Sequence, residues 1–229
     1  MSLPTDFDDC QDPQPRSQPL PLQPVVWPVR IELRPRDAVA PRGMDFLDVL
    51  ERRRSIRDMC PAPLRETVNL LVYGHAQRSP WGTNPRRSAR FSHSAGALHP
   101  VEVLLVSGSR RNRILRIEPA ERTLQLLRIA DQAPLNALNA KLAEMLPNAR
   151  GDYIVLLADR SLTASQYSSA RNLVWRDAGA LMQTLHFCAT AFRMAFCPAG
   201  IDGSEIRDAV FGADDRFEGV GVAALGRPI

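Results

Sequence analysis

A run of arginines interrupted by one hydroxyl is the first group of residues in this sequence that could do chemistry. Positions 52–57 read Arg-Arg-Arg-Ser-Ile-Arg, which places Arg53, Ser55 and Arg57 at alternate positions. Guanidinium groups form paired hydrogen bonds with phosphate oxygens, and a serine hydroxyl adds a neutral donor. The spacing predicts a phosphate-binding site. A solvated, arginine-rich helix end, where cations interact favourably with the helix dipole, explains the same run.

A loop of small residues is the second candidate. Positions 91–100 read Phe-Ser-His-Ser-Ala-Gly-Ala-Leu-His-Pro and lead directly into the apolar run 101–106. Small residues let a backbone approach a flat ligand closely, and an apolar run of this length predicts a strand that is buried on both faces. The pattern fits a rigidly placed ligand-binding loop, and it also fits a simple tight connection before a strand.

Together, the two motifs resemble the flavin-dependent nitroreductase superfamily, and most closely its SagB-type dehydrogenase branch. The resemblance rests on Arg-Arg-Ser-Ile-Arg at 53–57 and Ser-Ala-Gly-Ala-Leu-His-Pro-Val-Glu-Val at 94–103, and extends more loosely through Gly179 and 198–200 to 226–228. It implies an α+β fold, in which helices flank a central, mainly antiparallel sheet and one long helix is central. It also implies an intertwined homodimer with FMN at the subunit interface.

The resemblance also implies which residues bind the cofactor. A protein that uses FMN must anchor its phosphate, supply donors to the ring edge and leave one ring face open. By resemblance, an arginine–serine group holds the phosphate and ribityl chain, four small residues line the ring, one glycine offers a backbone N–H near N5, and a last arginine completes the phosphate site. In that order, these residues are Arg53, Ser55 and Arg57; Ser94, Ala95, Gly96 and Ala97; Gly200; and Arg227.

The activity implied by the resemblance is a ping-pong hydride transfer. NADH or NADPH delivers hydride to flavin N5, and an electron-poor acceptor (a quinone, a nitro compound or an unidentified metabolite) then takes the electrons. Candidate proton donors at such a site are His99 and Tyr167. The SagB-type azoline dehydrogenases carry a Lys-Tyr pair before the long helix, where this sequence has Gln166-Tyr167. Azoline oxidation in peptide maturation is therefore an alternative, and a non-catalytic flavin-binding or scaffold homologue is another.

The elements that must position these residues follow from hydrophobic periodicity. Helices are predicted from about residue 43 to the arginine run and over 64–74, 135–146, 173–196 and 202–210. Strands are predicted over 101–106, 114–117, 123–129, 153–158 and 219–225. Because helices and strands are interspersed, an α+β sheet flanked by helices follows.

Two residues of the longest predicted helix need an explanation. A glycine in a helix interior costs about 1 kcal/mol relative to alanine, so Gly179 predicts the close approach of another helix or of a ligand. His186 lies among apolar residues, and we interpret it as a buried histidine whose hydrogen bonds are satisfied.

The composition limits the class of protein. The 229 residues, 45% of them hydrophobic, are enough for one substantial core. Of the 29 basic residues only Lys141 is not arginine, and these residues are scattered without interleaved aromatics, so we expect no nucleic-acid partner. No apolar run approaches eighteen residues, and no CxxC or CxxH spacing is present. We therefore expect a cytoplasmic protein without a membrane partner, a disulfide framework or a metal site.

A proline-rich arm precedes the predicted flavin domain. Residues 1–41 contain nine of the nineteen prolines and cannot sustain a helix or a central strand. We expect about the first twenty residues to be a disordered leader and the part around Trp27 to pack on a surface. The predicted FMN-binding domain is then 42–229.

Overall fold

The structure is a computed structural model that describes residues 11–35, 39–41, 44–83, 85, 87–107, 112–212 and 214–229. The α-helices within these ranges are α1 (Phe46–Arg52), α2 (Leu64–His75), α3 (Gln132–Met145), α4 (Arg160–Ala164), α5 (Arg171–Ala191) and α6 (Ser204–Phe211). None of the described helices is both long and apolar enough to cross a lipid bilayer.

Most strands of the chain belong to one large sheet. The strands are β1 (Gln14–Pro15), β2 (Val29–Leu33), β3 (Met59–Cys60), β4 (Ser79–Trp81), β5 (Arg87–Ala89), β6 (Val101–Val106), β7 (Ile114–Glu118), β8 (Thr123–Leu127), β9 (Asp152–Asp159), β10 (Tyr167–Ser168), β11 (Ala195–Ala199) and β12 (Phe217–Pro228). The eight-stranded sheet has the order β11-β12-β9-β6-β7-β8-β2, and β3 also pairs with β12. All of these pairings are antiparallel. The predicted α+β fold with a mainly antiparallel sheet is confirmed.

Helices cover both faces of the sheet, which explains why its central strands are apolar without alternation. In β6, Val103 and Leu105 belong to the core that includes α2 and α5. Leu104 and Val106 belong to the core that includes α3 and α6. Successive side chains of a strand point to opposite faces, so each face of β6 is buried by a different pair of helices. The loop before this strand is therefore attached to a strand that is buried on both faces.

The long helix ends earlier than its hydrophobic period predicts. The prediction of helix over 173–196 is wrong at its C-terminal end, because α5 ends at Ala191 and residues 195–199 form strand β11. Arg193 adopts a left-handed φ of 58°, and the Met194 N–H donates a 2.8 Å hydrogen bond to the carbonyl of Ala189, which is a Schellman-type helix end. The apolar residues that follow pair with β12 instead of continuing the helix.

Part of the proline-rich arm is built into the fold. The prediction that Trp27 packs on a surface is confirmed, since its ring lies 5.1 Å from the ring of Phe211 and 5.8 Å from that of Phe217. Strand β2 forms an edge of the large sheet, and β1 pairs with β10. Residues 1–10, on which half of the predicted leader falls, lie outside the described residues.

Candidate functional site

The arginine run is fixed against the edge of strand β11. The backbone N–H of Ile56 donates a 3.0 Å hydrogen bond to the carbonyl of Phe196. On the other side, His186 Nε2 lies 3.2 Å from the carbonyl of Arg54, and its ring stacks on Phe196 at 4.8 Å. Burial lowers the pKa of His186, so the ring is neutral at pH 7. The prediction of a buried, satisfied histidine is confirmed, and its hydrogen bond holds the arginine run in place.

Two of the three phosphate-binding residues predicted in the arginine run line one cavity. Ser55 and Arg57 border a cavity of about 500 Å³ together with Arg54 and Asp58, and Pro228 forms another part of its wall. No described residue forms an ion pair with Arg54 or Arg57. Arg53 does not line this cavity and lies near His186, whose pKa it helps to lower. The cavity therefore presents two guanidinium groups without an ion-pair partner among the described residues and a hydroxyl, with the carboxylate of Asp58 in the same wall.

Arg227 is engaged elsewhere. Its guanidinium forms two hydrogen bonds, of 3.0 and 2.6 Å, with the carboxylate of Glu66, and this ion pair raises the pKa of Arg227. Its neighbour Pro228 borders the arginine cavity, whereas the Arg227 side chain does not. In this conformation, Arg227 would have to leave Glu66 before it could bind an anion there.

A second cavity opens where strand β11 ends. It has a volume of about 490 Å³ and is bordered by Gly200, Gly179, Trp175 and Met182. A β-carbon built on Gly179 or on Gly200 would meet no atom within 4 Å. The helix or ligand predicted to approach Gly179 is therefore not provided by the described part of this chain, and both glycines border open space. Trp175, at 42% exposure, supplies an aromatic wall.

The small-residue loop is held by a carboxylate from helix α5. The Ser94 hydroxyl donates a 2.5 Å hydrogen bond to Asp177 Oδ2, and the Ala95 N–H donates one of 3.1 Å to Oδ1. The His99 N–H donates to Ser94 Oγ at 2.9 Å. Gly96, Ala97 and His99 have φ values of 58°, 55° and 52°. The loop is thus a left-handed turn with defined hydrogen bonds, and the Ser94 side chain is occupied in forming it.

Tyr167 lies beside this loop, so the predicted proton donor and the predicted ring-contacting residues are neighbours. A β-carbon on Gly96 would lie 2.9 Å from the Tyr167 hydroxyl oxygen and 2.8 Å from Arg87 Nη1. Arg87 donates one hydrogen bond to the Gly96 carbonyl and another, of 3.1 Å, to Gln166 Oε1. The Gln166-Tyr167 pair and the loop therefore form one contiguous group.

His99 is more enclosed than a surface proton donor would be. It is 8% exposed, and its Nε2 lies 2.8 Å from the carbonyl of Ser88, to which it donates. Burial, with a further contribution from Arg90, lowers the pKa of His99 to about 4. The ring is neutral at pH 7, and its one N–H is already committed to the backbone. His75, also buried beside Arg90, has a pKa well below its usual value for the same reasons.

The loop and the glycine cavity lie on different sides of helix α5. Asp177 faces the loop, whereas Trp175 and Gly179, two residues before and after it, border the cavity. An α-helix turns about 100° per residue, so two residues separate these directions by about 200°. One chain therefore brings Ser55 and Arg57 to strand β11, with Gly200 at the end of that strand, and brings Ser94–Ala97 to Tyr167. It does not bring the two groups together.

Three site residues are missing from the sequence predictions. Arg54 stands inside the arginine run, but alternate spacing favoured its neighbours. The sequence did contain an indication of Asp177, because this acid stands three residues after Val174 and four before Leu181, on the buried face of a helix. The sequence contained no such indication of Arg87, since nothing in its local sequence predicts a contact with Gly96.

Solved structures provide the comparison with known proteins. No protein-family model matches the sequence, and no curated protein matches it. A protein assigned as a nitroreductase from Ralstonia eutropha JMP134 superposes with a TM-score of 0.64 at 14% identity, covering 96% of this chain and 99% of that one. A chain of the E. coli microcin synthetase McbBCD complex, solved with truncated pro-MccB17 bound, has a TM-score of 0.59 at 16% identity, covering 87% of this chain and 78% of that one.

A third structure was solved with a cofactor. It is assigned as a nitroreductase from Desulfovibrio desulfuricans in complex with FMN, and it has a TM-score of 0.53 at 15% identity, covering 81% of this chain and 87% of that one. These identities are low, and what they share with this chain is the arrangement of sheet and helices. The chain has the nitroreductase fold.

Proposed function

We propose that this protein is an FMN-dependent oxidoreductase. The observation that carries the proposal is a pair of cavities in a nitroreductase fold: one lies beside the arginine run that is hydrogen-bonded to strand β11, and the other lies at the end of that strand. One cavity offers Arg54, Ser55 and Arg57, whose guanidinium groups form no ion pair with a described residue although Asp58 also lines the cavity, and the other is open, apolar and bordered by Gly179 and Gly200. A phosphate needs the first environment and a flat aromatic ring needs the second.

FMN fits the residues that are present. The two guanidinium groups and the serine hydroxyl would hold its phosphate, and the two glycines leave room for a ring that any β-carbon would obstruct. When bound, FMN would supply hydride transfer at N5. The residues of the chain would bind and orient it, while Trp175 and Met182 would shield one side of the cavity from water.

The proposal includes a homodimer. Helix α5 separates the Ser94–Ala97 loop from the Gly200 cavity of the same chain, so a ring bound in that cavity cannot also lie against that loop. A second copy could place its own loop, with Tyr167, over the open side of the cavity. Measuring the mass in solution by light scattering, with and without FMN, tests this part, since a strictly monomeric holoprotein would contradict it.

NADH or NADPH is the proposed electron donor, and a small electron-poor molecule is the proposed acceptor. With a quinone as acceptor, NAD(P)H and one solvent proton give NAD(P)⁺ and the quinol, which balances two electrons and two protons. The test begins with the visible spectrum of the purified protein incubated with FMN. Anaerobic bleaching by NADH or NADPH, followed by reoxidation with a quinone, is the expected result. A protein that takes up no flavin overturns the proposal, and one that binds flavin without bleaching is a non-catalytic flavin binder.

Oxidation of azoline rings in peptides is the second candidate function. It is favoured by the position of Tyr167 beside Gly96 and by the fold shared with a microcin synthetase chain solved with pro-MccB17 bound. The residue before the tyrosine is Gln166, and its side chain is engaged by Arg87, so the chain lacks a lysine amine at this point. Incubating the holoprotein with an azoline-containing peptide and looking for a loss of two mass units separates this function from quinone reduction.

A further inference from the structure

A buried carboxylate stands on the core side of the central helix. Asp177 is 5% exposed and lies between the buried residues Val174 and Leu181 on helix α5. Placing a carboxylate in such a position is costly unless hydrogen bonds compensate it. Burial raises the pKa of Asp177, while the hydrogen bonds from Ser94 and Ala95 act in the opposite direction. A carboxylate that is buried at this cost is expected to have a structural or functional role.

Among the described residues, the hydrogen bonds that compensate Asp177 come from one loop. Both carboxylate oxygens accept from this loop: Oδ2 from the Ser94 hydroxyl at 2.5 Å and Oδ1 from the Ala95 N–H at 3.1 Å. The connection continues, because Ser94 Oγ accepts from the His99 N–H at 2.9 Å. Asp177 therefore fixes the first residue of the turn directly and its last residue through Ser94.

The turn that is fixed in this way is conformationally costly. Ala97 and His99 adopt left-handed φ values of 55° and 52°, and such conformations are unfavourable in residues other than glycine. They persist only where the surrounding structure over-determines them. Arg87 also donates a hydrogen bond to the Gly96 carbonyl, so a cation and an anion both hold the turn, and Asp177 is the anion.

We propose that Asp177 is a positioning residue, whose carboxylate holds the Ser94–His99 turn in the one conformation in which that turn can lie against a bound isoalloxazine ring. The inference rests on the proposed function, because it assigns to the turn the role of a flavin-contacting wall. It goes beyond that function by assigning the shape of the wall to a residue of helix α5 that does not itself contact the cofactor.

The charged groups around Asp177 are consistent with an anionic clamp. The small cavity behind the turn is bordered by His75, Arg90, His93 and His99 as well as by Asp177. His75 and His99 are neutral near pH 7, so Arg90 is the permanent cation of this cavity. Against the burial that raises the pKa of Asp177, the hydrogen bonds from the turn and His93 act to lower it. A carboxylate can accept hydrogen bonds on both oxygens, whereas a neutral carboxamide can accept on only one atom.

The experiment compares Asp177→Ala and Asp177→Asn with Asp152→Asn in the full-length protein. Asp152 is also a buried carboxylate, 4% exposed, and it accepts a 2.8 Å hydrogen bond from Thr67 rather than from the turn. It controls for the general loss of a buried charge. The first readout is amide hydrogen exchange of the peptide that contains Ala95 and His99, in apoprotein. The second is FMN affinity, from quenching of flavin fluorescence.

We expect faster exchange in that peptide for Asp177→Ala, with Asp177→Asn intermediate and Asp152→Asn like wild type. We also expect FMN affinity to fall by about tenfold or more in Asp177→Ala, the effect of losing charge-assisted hydrogen bonds, and to be retained in Asp152→Asn. Unchanged exchange in both Asp177 variants overturns the clamp. Faster exchange with wild-type FMN affinity overturns its role as a flavin wall. If wild-type protein binds no FMN, the proposed function fails, and the exchange measurement still decides whether Asp177 holds the turn.

Discussion

The Ile56 N–H donates a 3.0 Å hydrogen bond to the carbonyl of Phe196, and this single bond ties the arginine run to the sheet. It adds the run to the edge of strand β11, the strand that ends at the glycine cavity. The backbone of the run is therefore fixed, while the side chains of Arg54 and Arg57 have no ion-pair partner among the described residues. Cations that are fixed and unpaired are what an anionic ligand requires.

Arg57→Ala is expected to weaken FMN binding by at least about tenfold, since a hydrogen bond to a charged group contributes about 1.5–3 kcal/mol. Arg53→Ala should weaken it less, because Arg53 lies beside His186 and not in the cavity. Fluorescence titration at two salt concentrations measures both effects. Arg128→Ala, at an exposed position, serves as the control for loss of one positive charge. If Arg53→Ala releases FMN and Arg57→Ala retains it, the phosphate lies elsewhere.

Gly179→Ala should separate stability from binding. Since nothing lies within 4 Å of the added β-carbon, the substitution should raise the free energy of unfolding by about 1 kcal/mol through helix propensity. Gly179→Leu should keep the fold and fill part of the cavity, so flavin binding should fall. Gln183→Leu adds an apolar side chain one turn further along the same helix, outside the residues that border the cavity. The three variants are compared by chemical denaturation and by flavin titration. Equal flavin affinity in all three would show that the flavin ring does not bind in this cavity.

Gly96→Ala should lower the free energy of unfolding by more than its left-handed backbone alone explains. Gly82 has a similar φ of 71°, and a β-carbon there would meet only the Pro85 carbonyl at 3.3 Å. Both substitutions force alanine into a left-handed conformation at about 1–2 kcal/mol, but only the one at Gly96 also drives a methyl group against Arg87 and Tyr167. We expect the free energy of unfolding to fall by about 1 kcal/mol more for Gly96→Ala, by analogy with overpacked sites. Equal losses in the two variants would show that the turn relaxes.

Acid should destabilise the fold through the buried histidines. The pKa of His99 is about 4 in the folded protein and about 6.5 in an unfolded chain. Between these values unfolding takes up a proton, so stability falls as the pH drops from 6.5 towards 4 and is unaffected by this group above 6.5. His99→Gln should reduce that slope by about one proton, or about 1.4 kcal/mol per pH unit. Asp177, whose pKa is raised, acts in the opposite sense in both proteins, so urea titrations of the pair across this range isolate His99. An unchanged slope would mean that His99 titrates normally.

Much of the fold could be predicted from local patterns. The apolar run at 101–106 predicted strand β6 correctly. A strand that is buried on both faces is apolar at nearly every position, so a short continuous apolar run is its expected pattern. The end of helix α5 was misjudged because Phe196 fits a helical stripe as well as it fits a strand. What decides between them is the pairing of 195–199 with β12, which is a contact between distant segments and leaves no trace in a local period.

The candidate site was less predictable for the same physical reason. The residue types at Ser55, Arg57, Ser94 and Gly200 indicated chemistry, but their grouping depends on which side of helix α5 each segment reaches. The acidic partner of the loop lies 83 positions away from Ser94. No spacing rule predicts a contact between two such distant positions. The one indication of it in the sequence was an acid within an apolar helix face.

The pairing of the proline-rich arm with strand β10 has a consequence for folding kinetics. Gln14 and Ser168 are 154 positions apart, so closing this contact restricts most of the chain and gains little burial in return. Contacts of this kind form late. The sheet and its helices should therefore assemble first, and the arm should then settle over Gln166 and Tyr167 as the last and most easily reversed step of folding.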